Sequence, residues 1–324
     1  MRCRPAQVAI IAATLGASML AGCTSSTGSA ASDASRSASP VPVQPGSPQP
    51  IATGCAQPAN EYADRFEERN VVVAVPGPSS GTGERGRPVV VALHGYNGQA
   101  QDFAAYTGLD AAARAAGVVA IFPQGSSTSA GGSGWNYPRH AQVGADDVGF
   151  LDRLLAKYQT QLCLDLTRVV VTGWSDGADM AVSYACHGKI ALRGILMVAA
   201  ATGGTRACHA RSVVYVHGTA DPIEPYNGGG VDNRPGYGNQ KSLGAQAMTK
   251  SWADAMQCAA PTNSGSAPVT AQTYAACRGG GQVALYSIQG GGHPWPSARY
   301  DINAKYGPTN HTYKTNLAVL ALLA

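Results

Sequence analysis

Short apolar runs alternate with longer segments of helical character along most of the chain. The apolar runs are rich in β-branched residues, which is typical of strands buried on both faces. They lie at 71–75, 88–93, 118–122, 168–172, 194–199, 212–217 and 282–288. The helical segments lie at 104–116, 147–161, 178–185, 242–257 and 312–323. This alternation predicts an α/β fold with a mostly parallel central sheet and helices on both faces.

The connections between these elements predict the shape of a functional site, because in parallel sheets such sites gather at the carboxyl ends of the strands. Only residues 200–211 separate two of the predicted strands, so we expect no large cap domain. Segments 123–144 and 222–241 are long and glycine-rich, and we expect them to form the rim. Their aromatic side chains, which suit stacking on a sugar or aryl ring as well as packing within a loop, are Trp135, Tyr137, Tyr226 and Tyr237.

The N-terminal part of the chain has a different composition. Residues 1–22 combine Arg2 and Arg4 with an apolar run that is too short to span a bilayer but suits an export signal. The run ends in Leu-Ala-Gly-Cys, which resembles the lipobox of bacterial lipoproteins, so Cys23 is the expected lipid-bearing residue; an ordinary secretion signal cut elsewhere is the alternative. Residues 23–54 are rich in Ser, Pro and Ala and predict a disordered tether, and residues 55–324 predict one α/β domain.

The charge balance is close to neutral. The chain has 23 Lys and Arg against 19 Asp and Glu, and loss of Arg2 and Arg4 with the signal would leave 21 against 19, a net charge of +2. Nucleic-acid-binding domains usually carry a concentrated basic face. We therefore expect no nucleic-acid partner, and membrane contact only through the lipid anchor.

The cysteines indicate an oxidising compartment. Six of the eight remain after Cys3 and Cys23 are set aside, and an even number in an exported chain predicts three disulfides, for which 15 pairings are possible. Our working hypothesis pairs Cys55 with Cys163, Cys186 with Cys208, and Cys258 with Cys277. No C-x-x-C or Cys/His spacing suggests a metal site.

The sequence Gly173-Trp174-Ser175-Asp176-Gly177 lies directly between a predicted strand and a predicted helix. A serine hydroxyl is a weak nucleophile unless it is exposed beside a base, and a sharp strand-to-helix turn with flanking glycines provides that exposure. Ser175 is therefore the candidate nucleophile.

The partners of such a serine follow it in the order acid, then histidine. Asp221 comes at the end of the strand 212–217, with Glu224 and Asp232 as nearby rivals. His293 comes after the last predicted strand, in the sequence Gly-Gly-Gly-His-Pro-Trp-Pro, where a flexible loop can reach back over the serine. This placement predicts Asp221 as the acid and His293 as the base.

Two backbone N–H groups are needed to bind the oxyanion of a tetrahedral intermediate. One candidate is the amide of Asp176, which follows the nucleophile, and the other is the amide of Tyr96 in the strand-end turn Leu-His-Gly-Tyr-Asn-Gly. The side chain of His94 in this turn is expected to brace it.

Four motifs together carry a family resemblance: V-T-G-W-S-D-G-A-D-M-A, V-A-L-H-G-Y-N-G, H-G-T-A-D-P-I-E-P-Y and G-G-G-H-P-W-P, with A-D-D-V-G-F-L upstream of the serine. They resemble the polyhydroxybutyrate depolymerase and feruloyl esterase group, which is related to carbohydrate esterase family 1, over about residues 71–323. The resemblance implies an α/β-hydrolase fold, a triad at Ser175, Asp221 and His293, and hydrolysis of carboxylic esters without a cofactor. Trp174 and Asp176 depart from the residues usual in the family, and no separate polymer-binding domain is recognisable.

These observations predict an exported, membrane-anchored serine esterase whose substrate is an aryl ester, an acylated sugar or a hydroxyalkanoate oligomer. The residues expected to contact the substrate are Trp135, Trp174, Tyr226 and Trp295. Two alternatives remain: a serine peptidase of the same fold, and a catalytically silent glycan-binding lipoprotein that keeps the fold.

Overall fold

A ten-stranded mixed sheet forms the centre of the molecule. The computed structural model describes residues 60–77, 86–128, 132–138, 145–205, 208–229 and 241–324. The predicted signal, tether and lipidation site, as well as Cys55, Asp232 and Tyr237, lie outside these residues. The strands of the main sheet are β1 (Glu61–Phe66), β2 (Arg69–Ala74), β3 (Arg87–Leu93), β4 (Val119–Pro123), β7 (Leu164–Trp174), β8 (Leu192–Val198), β9 (Ala210–Gly218), β10 (Thr262–Ser266), β11 (Val269–Tyr274) and β12 (Val283–Ile288), and a separate two-stranded ribbon contains β5 (Ser126–Ser127) and β6 (Ser133–Gly134).

The middle of the sheet is parallel and its two edges are antiparallel. The spatial order is β1-β2-β4-β3-β7-β8-β9-β12-β11-β10. Strands from β4 through to β12 pair in parallel, whereas β1 and β2 at one edge and β11 and β10 at the other pair antiparallel. All seven apolar runs predicted as strands lie in this sheet. The hairpin β10–β11 and the edge strand β1 were not predicted.

Helices cover both faces of the sheet. They are α1 (Ala100–Thr107), α2 (Leu109–Ala115), α3 (Asp147–Leu162), α4 (Asp176–His187), α5 (Ala245–Ala255) and α6 (Thr315–Ala321), with a short 3₁₀ turn at Ala304–Tyr306. The single helix predicted at 104–116 is wrong: Gly108 adopts a left-handed conformation with φ +65° and divides the segment into α1 and α2.

Two hydrophobic cores flank the sheet. One lies under α3, α4 and α5 and contains the buried side chains of Tyr158, Tyr184 and Trp252. The other lies under α1, α2 and α6 and contains Phe103 and Trp295. Burial of the apolar side chains in these two cores is the main contribution to the stability of the fold.

Disulfides join segments that flank the helices on one side of the sheet. Cys186 in α4 is bonded to Cys208, and Cys258, just after α5, is bonded to Cys277. Cys163 is also disulfide-bonded. Disulfides of this kind persist in oxidising compartments, which fits an exported protein.

Between β8 and β9 the described residues contain no helix, so the connection there is short and irregular. None of the helices in the described ranges is both long and apolar enough to cross a membrane.

Candidate active site

The turn between β7 and α4 holds Ser175 in a strained conformation. Its φ of +54° and ψ of −120° lie in a region that non-glycine residues rarely adopt and that costs energy. A hydrogen bond of 2.9 Å from the Ser175 N–H to the Val198 carbonyl helps to hold it there. The side chain is nearly buried, with 6% of its surface exposed. This is the geometry expected of a nucleophile presented on a sharp strand-to-helix turn.

The glycines on either side of Ser175 are required by close backbone contacts. A Cβ on Gly173 would lie 2.2 Å from the carbonyl oxygen of Gly177, and a Cβ on Gly177 would lie 2.2 Å from that of Leu93. Contacts below about 3 Å cannot be accommodated by backbone atoms. The turn therefore packs directly against the end of β3.

Asp221 and His293 form a buried acid–base pair above the ends of β9 and β12. The Nδ1 atom of His293 lies 2.8 Å from Oδ2 of Asp221. The other oxygen, Oδ1, accepts the backbone N–H groups of Ile223 at 2.8 Å and Glu224 at 2.9 Å. Glu224, a rival for the acid role, thus supports Asp221 through its main chain.

The surroundings of Asp221 keep it ionised. Burial alone would raise its pKa, but hydrogen bonds and charge interactions with His217 and His293 outweigh burial and hold the pKa well below the ordinary value of a carboxyl group. An ionised carboxylate at this position orients the imidazole, fixes the proton on Nδ1 and leaves Nε2 as the acceptor of the neutral ring.

The loop that carries His293 is fastened on two sides. Its backbone N–H donates to the Tyr306 carbonyl at 2.8 Å, and its carbonyl accepts the indole N–H of Trp174 at 2.8 Å. The ring of Trp174 lies 5.6 Å from the imidazole. Because Trp174 directly precedes Ser175, these contacts hold the loop that carries His293 next to the turn that carries Ser175.

No hydrogen bond joins the Ser175 hydroxyl to His293 among the described residues. Catalytic hydrogen bonds are often long in ligand-free structures and tighten when substrate binds. The structure therefore links the Asp221–His293 pair to the turn that carries Ser175 through the hydrogen bond between Trp174 and the His293 carbonyl.

The turn after β3 lies against Ser175. A Cβ on Gly95, the residue before Tyr96, would lie 3.5 Å from the Cβ of Ser175. Asp176 is the first residue of α4. The two residues whose amides we expect to bind an oxyanion are thus carried by two backbone segments that meet at Ser175.

His94 braces this turn from within the fold. Its Nδ1 donates to the Gly95 carbonyl at 2.8 Å, and its Nε2 accepts the Gly125 N–H at 2.9 Å. Burial lowers its pKa below the ordinary value, so the ring is neutral. Its contacts are those of a structural residue.

The carboxylate of Asp176 points into the protein, where Trp135 and Tyr137 hold it. The Trp135 N–H and the Tyr137 hydroxyl each donate to it at 2.9 Å. The Trp135 indole N–H also donates to the His94 carbonyl at 2.9 Å. Segment 132–138 is thereby attached to both backbone segments that meet at Ser175.

This arrangement corrects the predicted substrate contacts. Trp135 and Trp295 are 0% exposed, and Tyr137 is 4% exposed, so none of them offers a ring face to a ligand. Trp295 instead donates its indole N–H to Asn316 and packs edge-on against Phe103. Their aromatic rings were expected at the surface because they occur on glycine-rich segments.

The remaining two predicted contacts, Trp174 and Tyr226, are partly buried. Trp174 packs between Phe103 and Tyr106 on one side and His293 on the other. Tyr226 donates or accepts a 2.6 Å hydrogen bond with the Ser287 hydroxyl. Part of each side chain stays exposed, so contact of Trp174 and Tyr226 with a substrate stays a prediction.

Two buried polar residues were not singled out from the sequence for their place in the site. His217 lies in β9 with its Nε2 atom 3.4 Å from Oδ2 of Asp221 and 2.8 Å from the Glu224 carbonyl. Asp179 in α4 accepts the N–H groups of Ala201 and Thr202, both at 2.8 Å. In the sequence, the feature that could have indicated them is their spacing: His217 lies four residues before Asp221, and Asp179 lies four residues after Ser175.

The part of the chain that the structure describes contains no group of three or more His, Cys, Asp or Glu side chains arranged to hold a metal ion.

Comparison with known proteins finds relatives of low sequence identity. No protein-family model matches the chain. It is 26% identical over 239 residues to feruloyl esterase B of Piromyces equi, covering 69% of this chain and 42% of that protein. It is 26% identical over 255 residues to NocK of Nocardia uniformis subsp. tsuyamanensis, named as a candidate esterase, covering 71% of this chain and 72% of that protein.

Among solved structures, the acetyl xylan esterase from Aspergillus awamori superposes with a TM-score of 0.52 at 16% identity, over 72% of this chain and 93% of that one. This match concerns the fold. The predicted fold class is confirmed: the chain has the α/β-hydrolase fold, and its sequence is similar to that of feruloyl esterases. It spans less than half the length of feruloyl esterase B.

Proposed function

We propose that this α/β-hydrolase is a serine esterase that cleaves carboxylic esters through a triad of Ser175, His293 and Asp221. The observation that carries the proposal is the 2.8 Å contact between His293 and a buried, ionised Asp221, together with a strained serine turn fastened to the same histidine loop. A carboxylate in this position fixes the tautomer that a general base needs.

The reaction proceeds in two stages through an acyl-enzyme. The Ser175 oxygen attacks the ester carbonyl carbon while Nε2 of His293 takes the hydroxyl proton. The backbone amides of Asp176 and Tyr96 bind the oxyanion that forms. When the intermediate collapses, the leaving alcohol takes the proton from His293 and the acyl group stays on the serine. A water molecule then attacks the acyl-enzyme by the same route and releases the acid.

The decisive experiment compares two serine substitutions. Ser175→Ala removes the nucleophile, so we expect it to lose hydrolysis of p-nitrophenyl acetate and covalent labelling by a fluorophosphonate. Ser183→Ala changes a serine that is equally buried in α4 and serves as the matched control, with both activities retained. Turnover by Ser175→Ala at a rate comparable with the wild type would refute the proposal.

The substrate class is an ester of an aromatic acid or an acylated sugar, and a hydroxyalkanoate oligomer is the other candidate. The sequence similarity to feruloyl esterases supports the first class. Parallel assays with methyl ferulate, an acetylated oligosaccharide and a hydroxybutyrate oligomer rank the three, and the corresponding amides test for peptidase activity.

We further propose that the protein is exported and anchored to the membrane through a lipid on Cys23. The lipobox-like sequence at residues 20–23 and the disulfides support this location. Cell fractionation tests it: Cys23→Ala should move the protein from the membrane to the soluble exported fraction.

A further inference from the structure

A polar groove lies along the unpredicted hairpin, beside the loops that carry Asp221 and His293. It has a volume of about 560 Å³. One side is lined by residues of β10, β11 and β12, and the other contains Tyr226, Asn227 and Gln246. We call it the hairpin groove. It is distinct from the residues proposed to carry out the reaction.

The strand register arranges the groove wall in two cross-strand rows. Asn263 lies opposite Gln272, which in turn lies opposite Leu285. Gly265, Thr270 and Ser287 form the next row. Residues directly opposite on neighbouring strands, and those two positions along, share a face of the sheet. The first row therefore presents two neighbouring amides, on Asn263 and Gln272, and the second presents two neighbouring hydroxyls, on Thr270 and Ser287.

The chemistry of the groove is neutral and rich in hydrogen-bonding groups. Among the described residues that line it, none is charged. Five carry side-chain amides: Asn227, Gln246, Asn263, Gln272 and Gln289. Only the Gln272 oxygen receives a hydrogen bond from another described residue, a long one of 3.4 Å from Tyr274. The other four amides make none within the described ranges and face solvent.

These features select the class of ligand. A side-chain amide both donates and accepts hydrogen bonds, as does a sugar hydroxyl, and the Tyr226 ring adds an aromatic surface. A phosphate or carboxylate ligand would require a cationic partner that the lining does not supply. A polyester offers acceptors but no donors, so it would leave the amide oxygens without partners. The volume of about 560 Å³ is large enough for several sugar units.

The groove also connects to the proposed site of reaction. Thr219 lines it, lies two residues before Asp221, and accepts the Gly290 N–H at 2.9 Å. Tyr226 packs edge-on against His217, which contacts Asp221. A chain bound in the groove would therefore lie beside the acid–base pair.

We propose that the hairpin groove binds a neutral oligosaccharide chain and holds it next to the acid–base side of the active site. The binding itself does not depend on turnover. The further statement that this chain belongs to the ester substrate rests on the proposed esterase function.

Binding should be measured by calorimetry on full-length Ser175→Ala, so that no substrate is consumed. The probes are xylohexaose, cellohexaose and maltohexaose, with a galacturonic acid hexamer as the charged comparison and a hydroxybutyrate hexamer as the polyester comparison. We expect saturable binding of at least one neutral sugar chain and binding of the two comparison oligomers that is at least about tenfold weaker, a difference of about 1.4 kcal/mol.

Substitutions in the same background assign the site. Asn263→Ala combined with Gln272→Ala removes two adjacent amides of one row and should weaken sugar binding about tenfold, because the sugar hydroxyls lose two hydrogen-bonding partners. Thr273→Ala lies on the same strand but on the opposite face and should change binding less than twofold. Thermal unfolding and near-ultraviolet circular dichroism establish that each variant is folded.

The proposal is overturned if none of the three neutral chains binds, if the double variant binds them as tightly as its parent, or if the charged or polyester hexamer binds equally well. Its failure is separable from failure of the esterase function. Hydrolysis of p-nitrophenyl acetate without sugar binding removes only the groove proposal. Sugar binding by a protein that a fluorophosphonate does not label removes only the esterase and favours a glycan-binding role.

Discussion

The acid–base pair and the hairpin groove lie side by side but use polar groups in opposite ways. Around Asp221 and His293 the polar side chains are buried, and each is held by other parts of the protein. In the groove the amides are mostly exposed and make few contacts with the described protein. Side chains that must be held in place before a reaction are fixed by hydrogen bonds within the protein. Side chains that recognise a bound chain leave their hydrogen-bonding groups available to the ligand.

The comparison predicts that substitutions around the acid–base pair reduce turnover steeply, while those in the groove act on binding. The largest expected effect is that of Asp221→Asn. Asparagine presents an N–H₂ or a neutral oxygen to His293 and no longer favours the tautomer with the proton on Nδ1. We expect kcat for p-nitrophenyl acetate to fall about 10³–10⁴-fold.

Asp254→Asn is the control for that experiment, because Asp254 is exposed and, among the residues that the structure describes, its side chain pairs with Lys250 alone, across one turn of α5. It should leave kcat within about twofold, as surface ion pairs contribute little. If Asp221→Asn keeps more than a tenth of wild-type turnover, Asp221 does not act as the acid of the triad.

The next effect concerns the link between the histidine loop and the nucleophile turn. Trp174→Phe keeps most of the ring packing but removes the indole N–H that donates to the His293 carbonyl at 2.8 Å. Because this hydrogen bond positions His293, we expect its loss to lower kcat about tenfold. KM should change little, because the substitution leaves the contacts with the substrate in place.

Trp252→Phe provides the matched comparison for Trp174→Phe. It removes an indole hydrogen bond of 3.1 Å to the Tyr215 hydroxyl, which lies in the core. We expect it to lower the melting temperature without lowering kcat. Equal losses of kcat in the two variants would show that general destabilisation, not the position of His293, causes the effect.

How far the sequence predicts this arrangement depends on the kind of interaction. The apolar strands were placed within a few residues because a run such as Val89-Val90-Val91 is buried on both faces whatever its partner. The hairpin β10–β11 was missed because the sequence Thr-Asn-Ser-Gly-Ser is fully exposed and has no apolar pattern. Its strand conformation depends on pairing with β12, which is a tertiary contact.

The site shows the same division. Strand-end position and chain order were enough to predict Asp221 and His293, which the structure brings to 2.8 Å. The orientation of Trp135 was not predictable, because an aromatic residue on a glycine-rich segment has the same local pattern whether it faces solvent or the interior. Its burial depends on contacts with Asp176 and His94, which are 41 residues away along the chain.

Asp176→Asn tests whether the interior hydrogen bonds of the site stabilise the fold. The carboxylate accepts from the Trp135 N–H and from the Tyr137 hydroxyl. A neutral amide can still accept from the Trp135 N–H and donate to the Tyr137 hydroxyl, but neither hydrogen bond is then strengthened by a charge, so the free energy of unfolding should fall by about 2 kcal/mol. Tyr137→Phe removes one donor and should cost about half as much. Urea unfolding of both variants measures the difference, and an unchanged midpoint for Asp176→Asn would contradict it.

The smallest effect is a change in how stability depends on pH. Burial lowers the pKa of His94 in the folded protein, whereas an unfolded histidine takes up a proton below about pH 6.5. The unfolded state then binds more protons, so His94 makes stability fall as the pH falls through this range, by up to about 1.4 kcal/mol per pH unit. The low pKa of Asp221 also stabilises the folded protein, but this stabilisation is lost only as the pH falls below about 4, where an unfolded carboxyl group takes up a proton.

His94→Asn removes the contribution of His94 to this pH dependence and keeps that of Asp221. Although the variant is less stable at pH 8, its urea-unfolding free energy should decline less between pH 7 and pH 5 than that of the wild type. Parallel declines over that interval would mean that His94 takes up a proton without unfolding, and that the turn it braces is less rigid than its two hydrogen bonds imply.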